Sequence, residues 1–200
     1  VSAVHKELVG NPKMQWPIRG CVVKTPADVA GLTSMIRNPY QEMSKIIWLN
    51  DKGQVIDARV TALGVNDATY VNMHGSFENI PKGAKYFIHS HNHPSGVTIP
   101  SDADINSRKT LQRIGKEIGV EMLDDIITNG HSFYSFADNL RGGDKQWKQL
   151  SANNSDVNYP ENQVRFDEQF KSEWEVAQLG TLVKYSDGNA RNFATMLSTH

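Results

Sequence analysis

A single cysteine, Cys21, stands among 200 residues. No disulfide can close within this chain, and a zinc site built on cysteine is excluded. A lone thiol suits a reducing interior, so a cytoplasmic location is expected. Long apolar runs are missing as well. No stretch of the sequence approaches the roughly 20 residues needed to cross a bilayer, and no membrane partner is expected. An excess of one charge is also missing: 21 Lys and Arg face 22 Asp and Glu, and residues 139–200 hold seven of the former against eight of the latter. Neither part is built as a basic nucleic-acid surface, which makes nucleic acid an unexpected partner. There is no internal repeat and no low-complexity tract. The opening Val1-Ser-Ala-Val-His5 lacks the charged and apolar regions of a signal peptide. Beginning at Val rather than Met, it reads as a processed chain or a piece of a longer one.

What is present is enough for one globular domain with a sizeable core plus an appendage, but not for two full domains. Residues 1–23 read as an N-terminal extension, broken at Asn11-Pro12 and Trp16-Pro17, with a short strand at Gly20-Cys-Val-Val23. Thr25-Pro26 opens a helix in which Val29, Leu32, Met35 and Ile36 recur at helical spacing until Asn38-Pro39. Ile46-Ile-Trp-Leu49 is an apolar strand that turns at Asp51-Lys-Gly53 and returns through Val55 to Leu63 as a hairpin. Gly64 to Pro81 reads mainly as loop, with a short strand near 69–73 and His74 as a surface residue. A helix is predicted from Asp102 to Ile118, ended by Gly119, then a strand from Val120 to Ile127. Asn129-Gly130 is a hairpin signal, and Ser132 to Phe136 is the partner strand.

The domain is expected to close near Asp138. Residues 139–160, with Arg141-Gly-Gly-Asp and Ser151-Ala-Asn-Asn-Ser-Asp, read as an extended or poorly packed linker. Residues 161–200 read as a C-terminal helical tail on which Phe166, Phe170, Trp174 and Ala177 recur at helical spacing. That stripe is expected to dock on the main domain or on a second copy of the chain, which makes a homodimer a candidate, with a separate partner as the alternative.

The chemistry concentrates between His89 and Asp104, read as His-Ser-His-Asn-His-Pro-Ser-Gly-Val-Thr-Ile-Pro-Ser-Asp-Ala-Asp. Lys85 to His91 is rich in aromatic and branched residues and is predicted as a strand, with His91 and His93 projecting to one face. Two imidazoles then reach one cation. Pro94 to Pro100 turns the chain back, and Asp104 sits in the first turn of the next helix, where a negative charge is favoured. His91, His93 and Asp104 thus form a three-ligand set that leaves a fourth tetrahedral position open, the arrangement of catalytic rather than structural zinc. His89 shares the strand face but is not needed for such a site and is read as a neighbour. Ser101-x-x-Asp104 also has the form of a helix capping box. The ligand set accepts manganese, iron or cobalt as well as zinc.

His91-x-His93-Pro94, followed after ten residues by Asp104 and with Ser101 three before it, resembles the signature of the JAMM (MPN+) metallopeptidases. The wording His-Asn-His-Pro-Ser-Gly and Pro-Ser-x-x-Asp is most similar to the bacterial RadC-like JAB branch. The likeness runs from Lys24-Thr-Pro-Ala-Asp-Val through Gln41-Glu42 to Leu123-Asp-Asp-Ile-Ile and Phe133-Tyr-Ser-Phe-Ala137, somewhat over half the chain. The resemblance implies an α/β domain over residues 24–138: a mixed, largely antiparallel sheet flanked by helices, here with a C-terminal helical appendage. It implies Zn2+ as cofactor, Glu42 as general base, where the residues alone also offer Glu78, Glu117 and Glu121, and Ser101 as donor to the oxyanion that forms on an attacked amide. The implied reaction is hydrolysis of a peptide or isopeptide bond, with a protein or peptide substrate and a ubiquitin-like tail as one candidate. Two alternatives stand beside it. One is a DNA-associated protein with a repair or anti-restriction role, and the other is a non-catalytic metal-binding scaffold.

Overall fold

The computed structural model describes residues 18–34, 41–63, 77–139, 145–161 and 163. Nine elements follow in chain order: α1 (Pro26–Ser34), β1 (Met43–Leu49), β2 (Val55–Leu63), β3 (Tyr86–His91), α2 (Asp102–Ile118), β4 (Glu121–Thr128), β5 (Phe133–Ser135), α3 (Phe136–Asn139) and α4 (Lys145–Asn153). The five strands form one sheet in the order β2-β1-β3-β4-β5. Every pairing is antiparallel except β3 with β4. A parallel neighbour needs a crossover, and α2 supplies it. The architecture is the expected mixed, largely antiparallel sheet flanked by helices.

Alternation along β1 divides the core in two. Ile47 and Leu49 point to one face, where they join Val29 and Leu32 of α1, Ile88, Ile126, and Trp147 and Leu150 of α4. Ile46 and Trp48 point to the other face, with Phe87, Met122 and Leu111 of α2. All seven residues of β1 and all six of β3 are buried, which explains why these central strands read as apolar runs rather than as alternating patterns. On the second face α2 lies tight against β3: a Cβ on Gly115 would stand 2.7 Å from the Val120 carbonyl and 2.9 Å from Cε1 of Phe87. The β1–β2 turn closes through Gly53 at φ +72°, and a Cβ there would collide with the Val23 carbonyl. Both the backbone angle and the close approach demand glycine.

Several expectations need correction. The stretch 139–160 is not an extended linker: Lys145–Asn153 is helical, with Trp147 and Leu150 buried in the main core. Its polar wording hid this, because two apolar residues one turn apart suffice to anchor a short helix. Beyond that helix, Asn154 Nδ2 donates to the Val23 carbonyl, and the Gln163 side chain makes two 2.6 Å hydrogen bonds with the backbone of Val22. The end of the supposed N-terminal extension is likewise core, with Ile18, Val22 and Val23 buried. Val22 makes only an isolated bridge with Gln54 rather than a strand. The last strand is shorter than expected, because Phe136 begins α3. Expectations for the first 17 residues, for Met35 and Ile36, for the strand near 69–73, for His74 and for the stripe beyond Gln163 lie outside the described residues. No described helix is long and apolar enough to cross a membrane.

Candidate metal centre

The candidate site forms where β3 ends and α2 begins. Phe87, His89 and His91 alternate onto the face that α2 covers, so apolar packing passes into imidazole toward the strand's end. The strand itself stops at His91, and His93 lies just past it rather than in the ladder. A turn with Gly96 at φ +77° brings the chain round to Ser101, which caps α2. The cap is reciprocal: the Asp104 N–H donates to Ser101 Oγ, and the Ser101 N–H donates to Asp104 Oδ2 at 2.7 Å. Asp104 is thereby aimed back at the histidines.

Three donors converge. Nε2 of His91 is 3.2 Å from Nε2 of His93 and 3.1 Å from Oδ1 of Asp104, and Nε2 of His93 is 3.4 Å from Oδ2 of Asp104. Ligands about 2.0–2.1 Å from a tetrahedral zinc stand about 3.3–3.4 Å apart, and the separations here are of that size, with the two Asp104 contacts made by its two different oxygens. The donor chemistry fits as well, with two imidazoles and one carboxylate. Burial works against the Asp104 charge, but hydrogen bonds from His91, His93 and Ser101 outweigh it and hold the carboxyl far below the usual range. Asp104 beside it raises the His93 imidazole; burial opposes this, while the Val97 carbonyl and the charge of Glu42 add to it. The Val97 carbonyl accepts from His93 Nδ1 at 2.7 Å, which places a hydrogen on Nδ1 and makes Nε2 the nitrogen that would bind a cation.

Glu42 lies half-buried at the entry to β1, two residues before Ser44, which pairs with His91. Its charge reaches His93. Its backbone is held by a residue the sequence reasoning passed over: buried Asn92 accepts from the Met43 N–H and donates to the Gln41 carbonyl. Ser101 stands at the rim with its hydroxyl donating to Asp104 Oδ2 at 2.7 Å. The structure therefore brings His91, His93, Asp104 and Ser101 together, and Glu42 is near enough for its charge to act on His93.

A second group lies behind the first. His89, His91 and Asp125 are all buried, and they too come close enough together to hold a metal ion. Nδ1 of His89 meets Asp125 Oδ1 at 2.8 Å, and Nδ1 of His91 is 3.8 Å from the same oxygen. The His89 and His91 rings stack with centroids 5.2 Å apart. Asp125 was not among the residues expected here, although its signal was visible: Leu123-Asp-Asp-Ile-Ile sets two acids side by side in an otherwise apolar strand. Buried charges of that kind need partners. Asp124 finds its own on the opposite face, from Ser135, Trp147 and the backbone of Ala137 and Asp125.

Residues 23–142 match the family described as RadC-like JAB domain. The chain is similar to a UPF0758 protein of Clostridium novyi, with 36% identity over 115 residues, 56% of this chain and 50% of the relative. A UPF0758 protein of Halalkalibacterium halodurans shares 35% over 116 residues, 57% of this chain and 50% of the relative. One from Bacillus velezensis shares 33% over 136 residues, 67% of this chain and 55% of the relative. The chain spans about half the length of the curated relatives it matches.

Proposed function

From a chain that belongs to the RadC-like JAB domain family, we propose a zinc-dependent hydrolase that cleaves a peptide or isopeptide bond, with His91, His93 and Asp104 as the metal ligands. The observation that carries the reading is the convergence of two Nε2 atoms and the two oxygens of one carboxylate, with contacts of 3.1 to 3.4 Å. A zinc ion held there would supply Lewis acidity and would lower the pKa of a water toward neutrality.

The remaining work falls to side chains. Glu42, at the β1 entry, is the base that takes a proton from the attacking water and returns it to the departing amine. Its charge acts on His93, and the three-ligand set does not require it, which suits it to that transfer. Ser101 is the donor to the oxygen that gains charge when the amide is attacked, a contribution on the order of 3 kcal/mol to the transition state. In the structure this hydroxyl is engaged by Asp104, so the role requires it to turn from the carboxylate to the substrate.

A protein or peptide substrate suits the surroundings. Val97 and Ile99 on the turn and Ile105 beside Asp104 are exposed apolar side chains in the segments that frame the ligands, and the chain's charge is balanced. An extended polypeptide finds apolar contact there that a polyanion does not need. A ubiquitin-like tail is one such substrate.

Elemental analysis of purified protein, wild type beside His91→Ala, tests the metal assignment, and hydrolysis of a panel of ubiquitin-like and peptide-amide substrates on the same samples tests the reaction. About one zinc per chain, as one such site holds, lost in His91→Ala together with cleavage, is the expected result. Glu42→Gln should keep the metal and lose the cleavage. No metal bound, and none taken up on addition, would overturn the reading; metal bound with every substrate untouched would leave the scaffold alternative in its place.

A further inference from the structure

We propose that Asp125 is the positioning carboxylate for His91, and that His89 serves to hold Asp125 in that position. The inference rests on the metal reading given above. A histidine that binds a cation through one ring nitrogen must carry its hydrogen on the other, and that N–H needs an acceptor to fix the ring. For His93 the acceptor is the Val97 carbonyl, 2.7 Å from Nδ1. His91 has no such bond: its Nδ1 is buried and without a hydrogen-bond partner.

The acceptor close by is Asp125, with Oδ1 3.8 Å from that nitrogen. Asp125 is fully buried, and its other oxygen, Oδ2, also lacks a partner. A buried donor nitrogen and a buried acceptor oxygen, both unpaired and on neighbouring side chains, are complementary. Rotation of either side chain is what would join them, the nearer carboxylate oxygen standing 3.8 Å from the nitrogen. The register makes the arrangement systematic, since β3 and β4 pair His89 with Asp125, one step of the alternation below His91. His89 Nδ1 then anchors Oδ1 at 2.8 Å and keeps the carboxylate from swinging away.

The same three residues could instead hold a second ion. Their spacing favours the supporting role. Separations of 2.8 and 3.8 Å to one oxygen describe a hydrogen bond and a near neighbour, whereas the outer contacts of 3.1 to 3.4 Å are all close to the spacing of ligands around one zinc.

The test is zinc affinity, measured by competition with a chromophoric chelator on wild type, Asp125→Asn, Asp125→Leu and His89→Gln. On wild type and the Asp125 variants it is joined by the imidazole 15N–1H NMR spectrum of the zinc-loaded protein. Asp125→Leu should lose about 10- to 100-fold in affinity, as removal of an outer-shell partner does. Asp125→Asn and His89→Gln should lose less, because the amide oxygen can still serve one imidazole and Asp125 remains in His89→Gln. In wild type the His91 Nδ1 proton should give a slowly exchanging resonance that disappears in Asp125→Leu, a change that a purely structural role would not produce. Should Asp125→Leu fail to fold, Asp125→Asn decides by the same two readouts. Zinc affinities within twofold of wild type and an unchanged His91 resonance would overturn this inference alone. Two zinc ions per wild-type chain and one in Asp125→Leu would also overturn it, in favour of a second ion. Failure of wild type itself to bind zinc would overturn the metal reading and this inference with it.

Discussion

Asn92 holds the backbone on both sides of Glu42, with Oδ1 3.1 Å from the Met43 N–H and Nδ2 3.0 Å from the Gln41 carbonyl. The residue between the two ligand histidines thus ties the segment that carries the proposed base to the end of β3. Asn92→Ala removes both bonds while leaving His91, His93 and Asp104 intact. The expected outcome is a fall in kcat of about 100-fold, the scale of a 1 Å misplacement, with metal content unchanged and stability lower by about 1–3 kcal/mol. Steady-state kinetics and elemental analysis on one preparation check it. Unaltered kcat would mean that Asn92 positions nothing of catalytic importance.

Ser101 combines a cap with a proposed catalytic donor, and the two roles separate by substitution. At an N-cap, Ser→Gly costs only a few tenths of a kcal/mol, whereas Ser→Ala costs about 1 kcal/mol. Loss of an oxyanion donor costs about 10²–10³-fold in kcat. Ser101→Gly should therefore melt close to wild type and yet lose most of its turnover, and Ser101→Ala should lose both. If Ser101→Gly turns over at the wild-type rate, the hydroxyl is a cap alone.

Much of the site was legible because its residues are close in sequence. His91, His93, Ser101 and Asp104 fall within one strand end, one turn and one helix start, and short-range rules of turns and caps govern all three. Glu42 was legible only through resemblance, since its approach depends on the β1–β3 pairing. Asp125 was missed for the same reason: it reaches His89 across 36 residues through a parallel pairing that spacing does not reveal. The error over 139–160 has a different cause. Trp147 and Leu150 are few, but each is buried, and composition counts apolar residues without knowing which of them find a cavity to fill.

The Trp147 contact leads to a pH dependence. Asp124 is fully buried, and burial pushes its carboxyl up to about 6, with Ser135, Ala137, Trp147 and the Asp125 N–H limiting the rise. A carboxyl whose folded pKa exceeds its unfolded value near 3.8 contributes stability that is fully present below 3.8 and lost as pH rises through 6. The loss at neutral pH is about 3 kcal/mol at 1.36 kcal/mol per pH unit. Urea unfolding between pH 4 and 7 should show this contribution as a slope that is absent in Asp124→Asn. The variant should also be less stable near pH 5, because its amide hydrogens meet donors already aimed at the carboxylate. A wild type and variant with parallel pH profiles would show that Asp124 does not titrate in this window.

Gly115 connects the packing of α2 to the position of Asp104 at the start of the same helix. A methyl group at residue 115 would lie 2.7 Å from the Val120 carbonyl, a backbone atom that cannot swing aside, and 2.9 Å from the Phe87 ring. Helix propensity alone favours alanine by about 1 kcal/mol; overpacking costs about 1–3 kcal/mol. The second effect should win, because a clash with main chain can be relieved only by moving the helix. Gly115→Ala is therefore expected to lower the melting temperature and, as α2 lifts from β3, to widen the gap between Asp104 and the two histidines, so that zinc binds more weakly. Gly119, which ends the same helix, has open space around its Cβ position but φ +70°. Gly119→Ala should cost stability through backbone strain and leave zinc affinity where it was. Calorimetry and chelator competition on the two variants check the contrast: equal zinc affinities in both would show that the seat of α2 on β3 does not govern the site.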